Sequence, residues 1–147
     1  MTAAARLRAF EPSDTEAVVA LWEEAGLTRP WNDPRADILR KLSVQPELFL
    51  VAVDPTDRIV GSVMAGYDGH RGWLYYLATA GAARGQGIGR LLVTEAERLL
   101  TEMGCPKVQL MVRRENEQVL RFYEGLDYEP VDVAMMGKRL IADSLGS

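Results

Sequence analysis

The sequence of 147 residues contains one cysteine and one histidine, Cys105 and His70. A single thiol cannot form an intramolecular disulfide, and one Cys with one His excludes a zinc site built from several such ligands. We therefore expect no metal cofactor. The lone cysteine also favours a reducing, cytoplasmic setting.

Positive charge and long apolar runs are scarce as well. The chain has 17 Lys and Arg against 21 Asp and Glu, a formal net charge of -4, so no global positive field is available to hold nucleic acid. It has no apolar run of the roughly 18 residues that a membrane span needs, and its first ten residues lack the apolar segment of a signal peptide. We expect a soluble, unprocessed chain that binds neither nucleic acid nor membranes.

The patterning predicts a mixed α/β (α+β) domain built on one sheet. With 48% hydrophobic residues, the chain fits one domain over residues 1–147. Helical spacing and turn chemistry predict the order β-α-α-β-β-β-α-β-α-β. Helix starts are expected at the capping box of residues 13–16 and at Asp33-Pro34. Apolar residues that alternate with polar ones predict a strand over 108–112, and β-prone residues predict a last strand over 131–136.

A glycine-rich loop, Arg84-Gly85-Gln86-Gly87-Ile88-Gly89-Arg90, lies between a predicted strand and a predicted helix. Alternating glycines allow close backbone approach, and a helix start offers unpaired N–H groups, so the segment predicts an anion cradle. No Lys-Ser or Lys-Thr follows the glycines as a Walker loop requires, and Gly89 comes one position too early for the dinucleotide fingerprint. The alternative is a turn that only connects strand to helix.

The spacing Arg84-x-x-Gly87-x-Gly89 resembles the pyrophosphate-binding motif of the GNAT superfamily, the GCN5-related N-acetyltransferases. The later segment Asn116-Glu117-Gln118-Val119-Leu120-Arg121-Phe122-Tyr123-Glu124-Gly125-Leu126-Asp127-Tyr128 resembles that family's N-x-x-A-x-x-F-Y-x-x-x-G-F block. Residues 29–34, 66–72 and 104–107 are similar to a bacterial, YpeA-like subgroup. The chain departs from the family at 78–83, where Val-x-Pro is common, and at Asp127, where Gly is common.

The resemblance implies a GNAT-type fold, a central, mostly antiparallel sheet flanked by helices. It also implies direct transfer of acetyl from acetyl-CoA to a primary amine of a small molecule or peptide. Tyr123 is then the general acid, the glycine loop holds the pyrophosphate, and the end of the third long strand contacts the pantetheine arm. The residues implied for acetyl-CoA are Leu77, Ala78, Thr79, Arg84, Gly85, Gln86, Gly87, Ile88, Gly89 and Asn116.

The amine acceptor is expected between two loop segments, residues 29–33 and residues 67–71. Trp31 is expected to form an apolar wall, and Asp68 or Asp33 to attract an ammonium group. Residues 73–79 lack the glutamate that often serves this family as a base, so deprotonation is assigned to ordered water or to His70. The alternative is a non-catalytic acyl-CoA-binding sensor or regulatory module. A nucleotide-binding regulatory domain is disfavoured by the absent Walker lysine and by the glycine spacing. The acceptor, the acyl chain and the oligomeric state, a homodimer included, also remain open.

Overall fold

The computed structural model describes residues 5–143, which divide into two compact units. The first unit comprises residues 5–109 together with Asp143, and the second comprises Leu110–Ala142. The sheet, three of the four α-helices and the glycine loop all belong to the first unit. The candidate acid Tyr123 belongs to the second.

One five-stranded sheet organises the first unit. In spatial and sequence order its strands are β1 (Arg6–Ala9), β2 (Phe49–Val53), β3 (Ile59–Tyr67), β4 (Gly72–Thr79) and β5 (Val108–Gln109). The first three pairings are antiparallel, and the β4–β5 pairing is parallel. All five residues of β2 are buried, as expected for a continuous apolar strand covered on both faces. The predicted mixed fold with a mostly antiparallel sheet is therefore confirmed.

Three α-helices belong to this unit, α1 (Thr15–Glu24), α2 (Pro34–Lys41) and α3 (Ile88–Glu102). The start of α2 is as predicted, because the Asp33 side chain accepts a hydrogen bond of 2.9 Å from the Arg35 N–H. The capping box before α1 is displaced by two residues. Glu11 and Asp14 form it, instead of residues 13 and 16, because the chain enters α1 through a 3-10 turn over Pro12–Asp14.

Helices cover both faces of the sheet. On one face, Trp22 of α1 and Ile38 of α2 pack with Phe49 in a buried cluster that also includes Phe10. On the other face, the backbone at Gly61 and Gly72 lies against side chains of α3. The second unit, described by itself, contains α4 (Glu117–Glu124). No helix in the described residues is both long enough and apolar enough to cross a bilayer.

Two strand predictions are wrong. The strand expected over 108–112 ends at Gln109, and residues 131–136 form no strand. Val131, Val133, Met135 and Met136 are all exposed in the structure. Residues of high β-propensity form a strand only where the rest of the fold supplies a partner strand and a packed face. The sequence pattern alone therefore predicted more strand than the structure contains in both segments.

Candidate acyl-CoA site

The glycine loop leads into the first turn of α3, where backbone N–H groups can donate hydrogen bonds to an anion. Gly85 and Gly87 adopt positive φ angles of 83° and 75°, and a Cβ added to either would meet nothing within 4 Å. The first hydrogen bond of α3 runs from the Leu91 N–H to the Gly87 carbonyl at 3.0 Å, so the N–H groups of Ile88 and Gly89 precede the helical ladder. The first turn of α3 carries no acidic residue, and Arg84 beside it is exposed. These donors and the open space above them fit a phosphate group.

A glycine in β3 brings this helix start close to the sheet. A Cβ on Gly61 would lie 2.8 Å from Ile88 Cγ2, 2.9 Å from Leu92 Cδ1 and 3.2 Å from the Ala78 carbonyl oxygen. Only a residue without a side chain permits that approach. Because Gly61 pairs with Thr79, the close contact places the start of α3 beside the end of β4. Gly61 was not identified from the sequence.

The edge of β4 that faces β5 is paired only at its beginning. The parallel pairing joins Gly72 to Val108 and Trp73 to Gln109, and it includes no later residue of β4. The other edge of β4 stays paired with β3 as far as Thr79. Within the sheet, the half of β4 nearest the glycine loop therefore has one unpaired edge, which can hydrogen-bond an extended, amide-containing ligand.

The direction of the backbone groups along this edge follows from the ladder. Ala80 donates to the Val60 carbonyl at 2.8 Å, so alternation in an antiparallel pair directs the Ala78 groups towards Ser62 and those of Thr79 and Leu77 away from β3. Ala78 is also 4% exposed in the core. A larger side chain therefore has no room at Ala78, and its backbone groups, which the resemblance assigned to acetyl-CoA, face β3 instead of the unpaired edge.

The loop that carries Trp31 makes contact with β4. The Asn32 N–H donates to the Arg29 carbonyl at 3.1 Å, which closes a turn with Trp31 near its tip and 63% exposed. The neighbouring Asn32 side chain donates to the Tyr76 hydroxyl at 3.1 Å. This loop is thus joined to the middle of β4.

Asp68 belongs to the turn between β3 and β4. Its carboxylate accepts from the backbone N–H groups of His70 and Arg71, each at 2.8 Å. These backbone bonds, with a smaller contribution from the Trp73 side chain, hold the pKa of Asp68 below its usual value. Burial, and secondarily the charge of Asp68, raises the pKa of Tyr75. Asp68 is therefore an ionised carboxylate close to two aromatic side chains of β4.

The two segments expected to bind the acceptor, residues 29–33 and residues 67–71, both lie close to aromatic side chains of β4. An aromatic row on β4, formed by Trp73, Tyr75 and Tyr76, lies on the face that is turned to α1 and α2. Trp73 pairs with Gly66, which faces Lys41 of α2, and Tyr75 pairs with Met64 of the core cluster. Tyr76 stacks on Trp22 of α1. The loop of Trp31 contacts one end of this aromatic row and Asp68 lies at the other. The turn with Asp68 and His70 and the glycine loop are at opposite ends of β4, whose eight residues span about 25 Å.

In the second unit, Tyr123 lies on α4 and is 8% exposed. Its ring meets Phe122 and Tyr128 edge-on, with centroids 5.0 and 5.5 Å apart. Burial raises the pKa of Tyr123 to about 12, so its hydroxyl is protonated at neutral pH. Asn116 caps the same helix, with its side-chain oxygen 3.4 Å from the Val119 nitrogen.

Comparison with known proteins gives consistent matches. The model of the Acetyltransferase (GNAT) family matches residues 15–128. A protein of Yersinia enterocolitica named acetyltransferase is 53% identical over 137 residues, which cover 93% of this chain and 96% of that protein. A relative of the same name from Pectobacterium atrosepticum has the same identity and coverage.

Solved structures share the fold. Ard1 from Thermoplasma volcanium has a TM-score of 0.75 and 27% identity, and the match covers 84% of this chain and 82% of Ard1. AAC(6')-Iy, solved with a bisubstrate analogue that contains CoA, has a TM-score of 0.77 at 15% identity, over 95% of this chain and all of its own. At that identity the second match shows the fold alone.

These matches, together with a glycine loop that leads into a helix start beside a strand with one unpaired edge, define an acetyltransferase fold of the GNAT type. The chain belongs to the GNAT family of acetyltransferases, and it is an N-acetyltransferase enzyme. The family match includes residues of both compact units. The narrower YpeA-like resemblance and the description as one domain stay predictions.

Proposed function

We propose that this enzyme transfers acetyl from acetyl-CoA directly to a primary amine of a small molecule or peptide. The observation that carries the proposal is the juxtaposition of the open glycine loop with the unpaired end of β4. In that arrangement the N–H groups of residues 85–89, with Arg84, bind the pyrophosphate, and the outward backbone groups of Leu77 and Thr79 bond the pantetheine amides. The family resemblance assigns Asn116 to acetyl-CoA as well.

The chemistry supports this order of groups. A pyrophosphate needs several donors, and a helix start with glycines before it supplies them without a competing carboxylate. The pantetheine arm carries two amides, which match an unpaired strand edge as a peptide would. A neighbour in fold was solved with a bisubstrate analogue that contains CoA, which agrees with acyl-CoA as the donor.

In the transfer, the acceptor nitrogen forms a bond to the acyl carbon while the carbon–sulfur bond breaks. The amine loses its proton to ordered water or to His70, and Tyr123 donates its hydroxyl proton to the departing thiolate. A phenol whose pKa is about 12 stays protonated until that moment. The same pKa makes it a weak acid, so we expect its contribution to lie near the lower limit of general acid catalysis, about 100-fold.

We further propose that the acceptor carries an ammonium group and binds along the aromatic row of β4. Asp68 provides negative charge, and Trp73 and Tyr75 provide ring faces that attract cations. Trp31, on the loop joined to Tyr76, provides the apolar wall opposite. His70 belongs to the same turn as Asp68 and remains the candidate base.

A CoA-release assay against amino acids, polyamines, aminoglycosides and peptides with free N-termini tests the function. We expect turnover with at least one cationic amine and a higher KM for it in Asp68→Asn. Binding of acetyl-CoA without turnover of any amine would instead support the sensor. Failure to bind acetyl-CoA at all would contradict the donor site.

Tyr123→Phe tests the proposed acid, because it keeps the ring contacts and removes only the proton. We expect kcat to fall about 100-fold while the affinity for CoA is unchanged. Phe122→Leu is the matched control for a change of packing on the same helix. A Tyr123→Phe enzyme at full rate, with chemistry shown to limit turnover, would assign this residue to the core.

A further inference from the structure

The backbone of β4 contains a left-handed residue at an unusual place. Tyr76 has a φ of 54°, a conformation that bulky side chains adopt only where the surrounding structure enforces it. Ser62 pairs with Ala78 and Met64 pairs with Tyr75, so two steps along β3 face three steps along β4. The extra residue is a β-bulge, and it lies directly before the unpaired segment 77–79.

The bulge is held from the face covered by α1. The Tyr76 ring stacks on the Trp22 ring, with centroids 3.7 Å apart. The Trp22 indole N–H donates to Ser62 Oγ at 2.9 Å, and the Ser62 hydroxyl donates to the Tyr76 carbonyl at 2.8 Å. Trp22 and Ser62 are fully buried, so neither can follow a movement of β4 without disturbing the core.

The hydroxyl end of Tyr76 is held by a second set of contacts. It donates to Asp37 Oδ2 at 2.6 Å, and the Asn32 side chain donates to the same oxygen at 2.6 Å. Arg40 donates to the other oxygen, Asp37 Oδ1, at 3.0 Å. The side chain of Tyr76 is thereby fixed to both α2 and the loop that carries Trp31.

We propose that Tyr76 is a positioning residue for acyl-CoA: its contacts with Trp22, Asp37 and Asn32 hold the β4 bulge so that the outward groups of Leu77 and Thr79 meet the pantetheine arm. The inference rests on the proposed function. Pairing of β3 with β4 continues on both sides of the bulge with a shifted register, so the bulge does not end the ladder. The strained conformation is explained by the ligand-binding edge that follows it.

Tyr76→Phe separates the two sets of contacts, because phenylalanine retains the stacking on Trp22 and loses the bond to Asp37. We expect the affinity for CoA to fall about 2- to 30-fold, the range typical of residues that act on a site without touching the ligand. The affinity for adenosine 3′-phosphate 5′-diphosphate, the portion of CoA that ends at the pyrophosphate, is expected to stay unchanged. If Tyr76 were only structural, its substitution would lower the affinities for both ligands equally or would change neither.

The experiment measures both affinities by calorimetry, with thermal unfolding in parallel, for wild type, Tyr76→Phe and Asn32→Ala. Asn32→Ala leaves Tyr76 intact and removes one donor to Asp37 at a half-buried position, so it decides the matter if Tyr76→Phe fails to fold. Asp14→Asn is the control. It removes the ion pair between Asp14 and Arg8, whose atoms are 2.7 Å apart, and so destabilises the protein at a place away from β4.

A lower ratio of CoA affinity to nucleotide affinity in Tyr76→Phe or Asn32→Ala, and an unchanged ratio in Asp14→Asn, would support the inference. An unchanged ratio in all three folded variants would overturn it and leave the proposed function standing. A wild-type protein that binds neither ligand would refute the proposed function itself, and the inference with it.

Discussion

Replacing Gly61 by alanine tests whether the close approach of α3 to the sheet positions the anion cradle. The added Cβ would lie 2.8 Å from Ile88 Cγ2 and 2.9 Å from Leu92 Cδ1. The Leu92 methyl is the end of a flexible side chain and can rotate away. Ile88 Cγ2 is bonded directly to Cβ, so relief there requires movement of the first turn of α3.

Overpacking of this kind destabilises by about 1–3 kcal/mol. For a chain of 147 residues that corresponds to a fall of roughly 2–12 °C in Tm. The same movement lengthens hydrogen bonds from the helix start to the pyrophosphate. Each such bond to a charged acceptor is worth roughly 1.5–3 kcal/mol, so partial loss should weaken CoA binding about three- to tenfold.

Gly66→Ala is the matched control, because it makes the same substitution in the same strand. Its Cβ would lie 3.6 Å from both Gln45 Oε1 and Lys41 Nζ, which is ordinary contact. We expect unchanged or slightly higher stability, by up to about 1 kcal/mol, since glycine is unfavourable in a strand. Differential scanning fluorimetry and CoA titration of both variants are sufficient. Equal Tm and equal CoA affinity in Gly61→Ala and Gly66→Ala would refute the reasoning.

Substitutions at two further positions test the conformation of the glycine loop and the charge of a buried carboxylate. Gly87→Ala should weaken CoA binding, because alanine strains a φ of 75°. Gly87→Glu should weaken CoA binding more, by about ten- to several-hundredfold, because it adds a carboxylate beside the phosphates. Equal affinity of the two variants in a CoA titration would contradict the anion cradle. Asp14→Asn should cost about 1.5–3 kcal/mol at pH 7, because Arg8 holds the pKa of Asp14 below its unfolded value. That stability is present above the ordinary Asp pKa of about 3.9 and lost as pH falls through the lowered value, so denaturant unfolding of variant and wild type should converge in acid.

Local signals in the sequence predicted the fold where one residue determines one structural feature. Asp33-Pro34 starts a helix because its cap and its missing N–H act within a single turn, and Gly85 and Gly87 adopt the positive φ angles that a glycine loop permits. The helical spacing of apolar residues likewise predicted α3. For these elements, the physics that forms the structure acts between near neighbours in the sequence.

Features that depend on distant partners could not be read in this way. Gly61 appears in the sequence as one more glycine in a strand, and its importance comes from Ile88 of a helix that begins 27 residues later. Tyr76 resembles an ordinary strand aromatic in the sequence, because no local pattern reveals its left-handed φ or its contacts with Trp22 and Asp37. The strand expected over 131–136 is absent for the opposite reason: its local pattern was favourable, but within residues 5–143 these residues pair with no strand.

The half-paired edge of β4 has a consequence for hydrogen exchange. Ala78 and Thr79 are adjacent, yet the amide of Ala78 is directed into the ladder with Ser62, whereas the amide of Thr79 points away from β3. Exchange at Ala78 therefore requires the sheet to open, so its rate reports the stability of the fold. Exchange at Thr79 should slow when a ligand with amide groups occupies the edge. Two neighbouring amides thus provide an internal reference and a sensor of occupancy, readable by NMR before any acceptor is known.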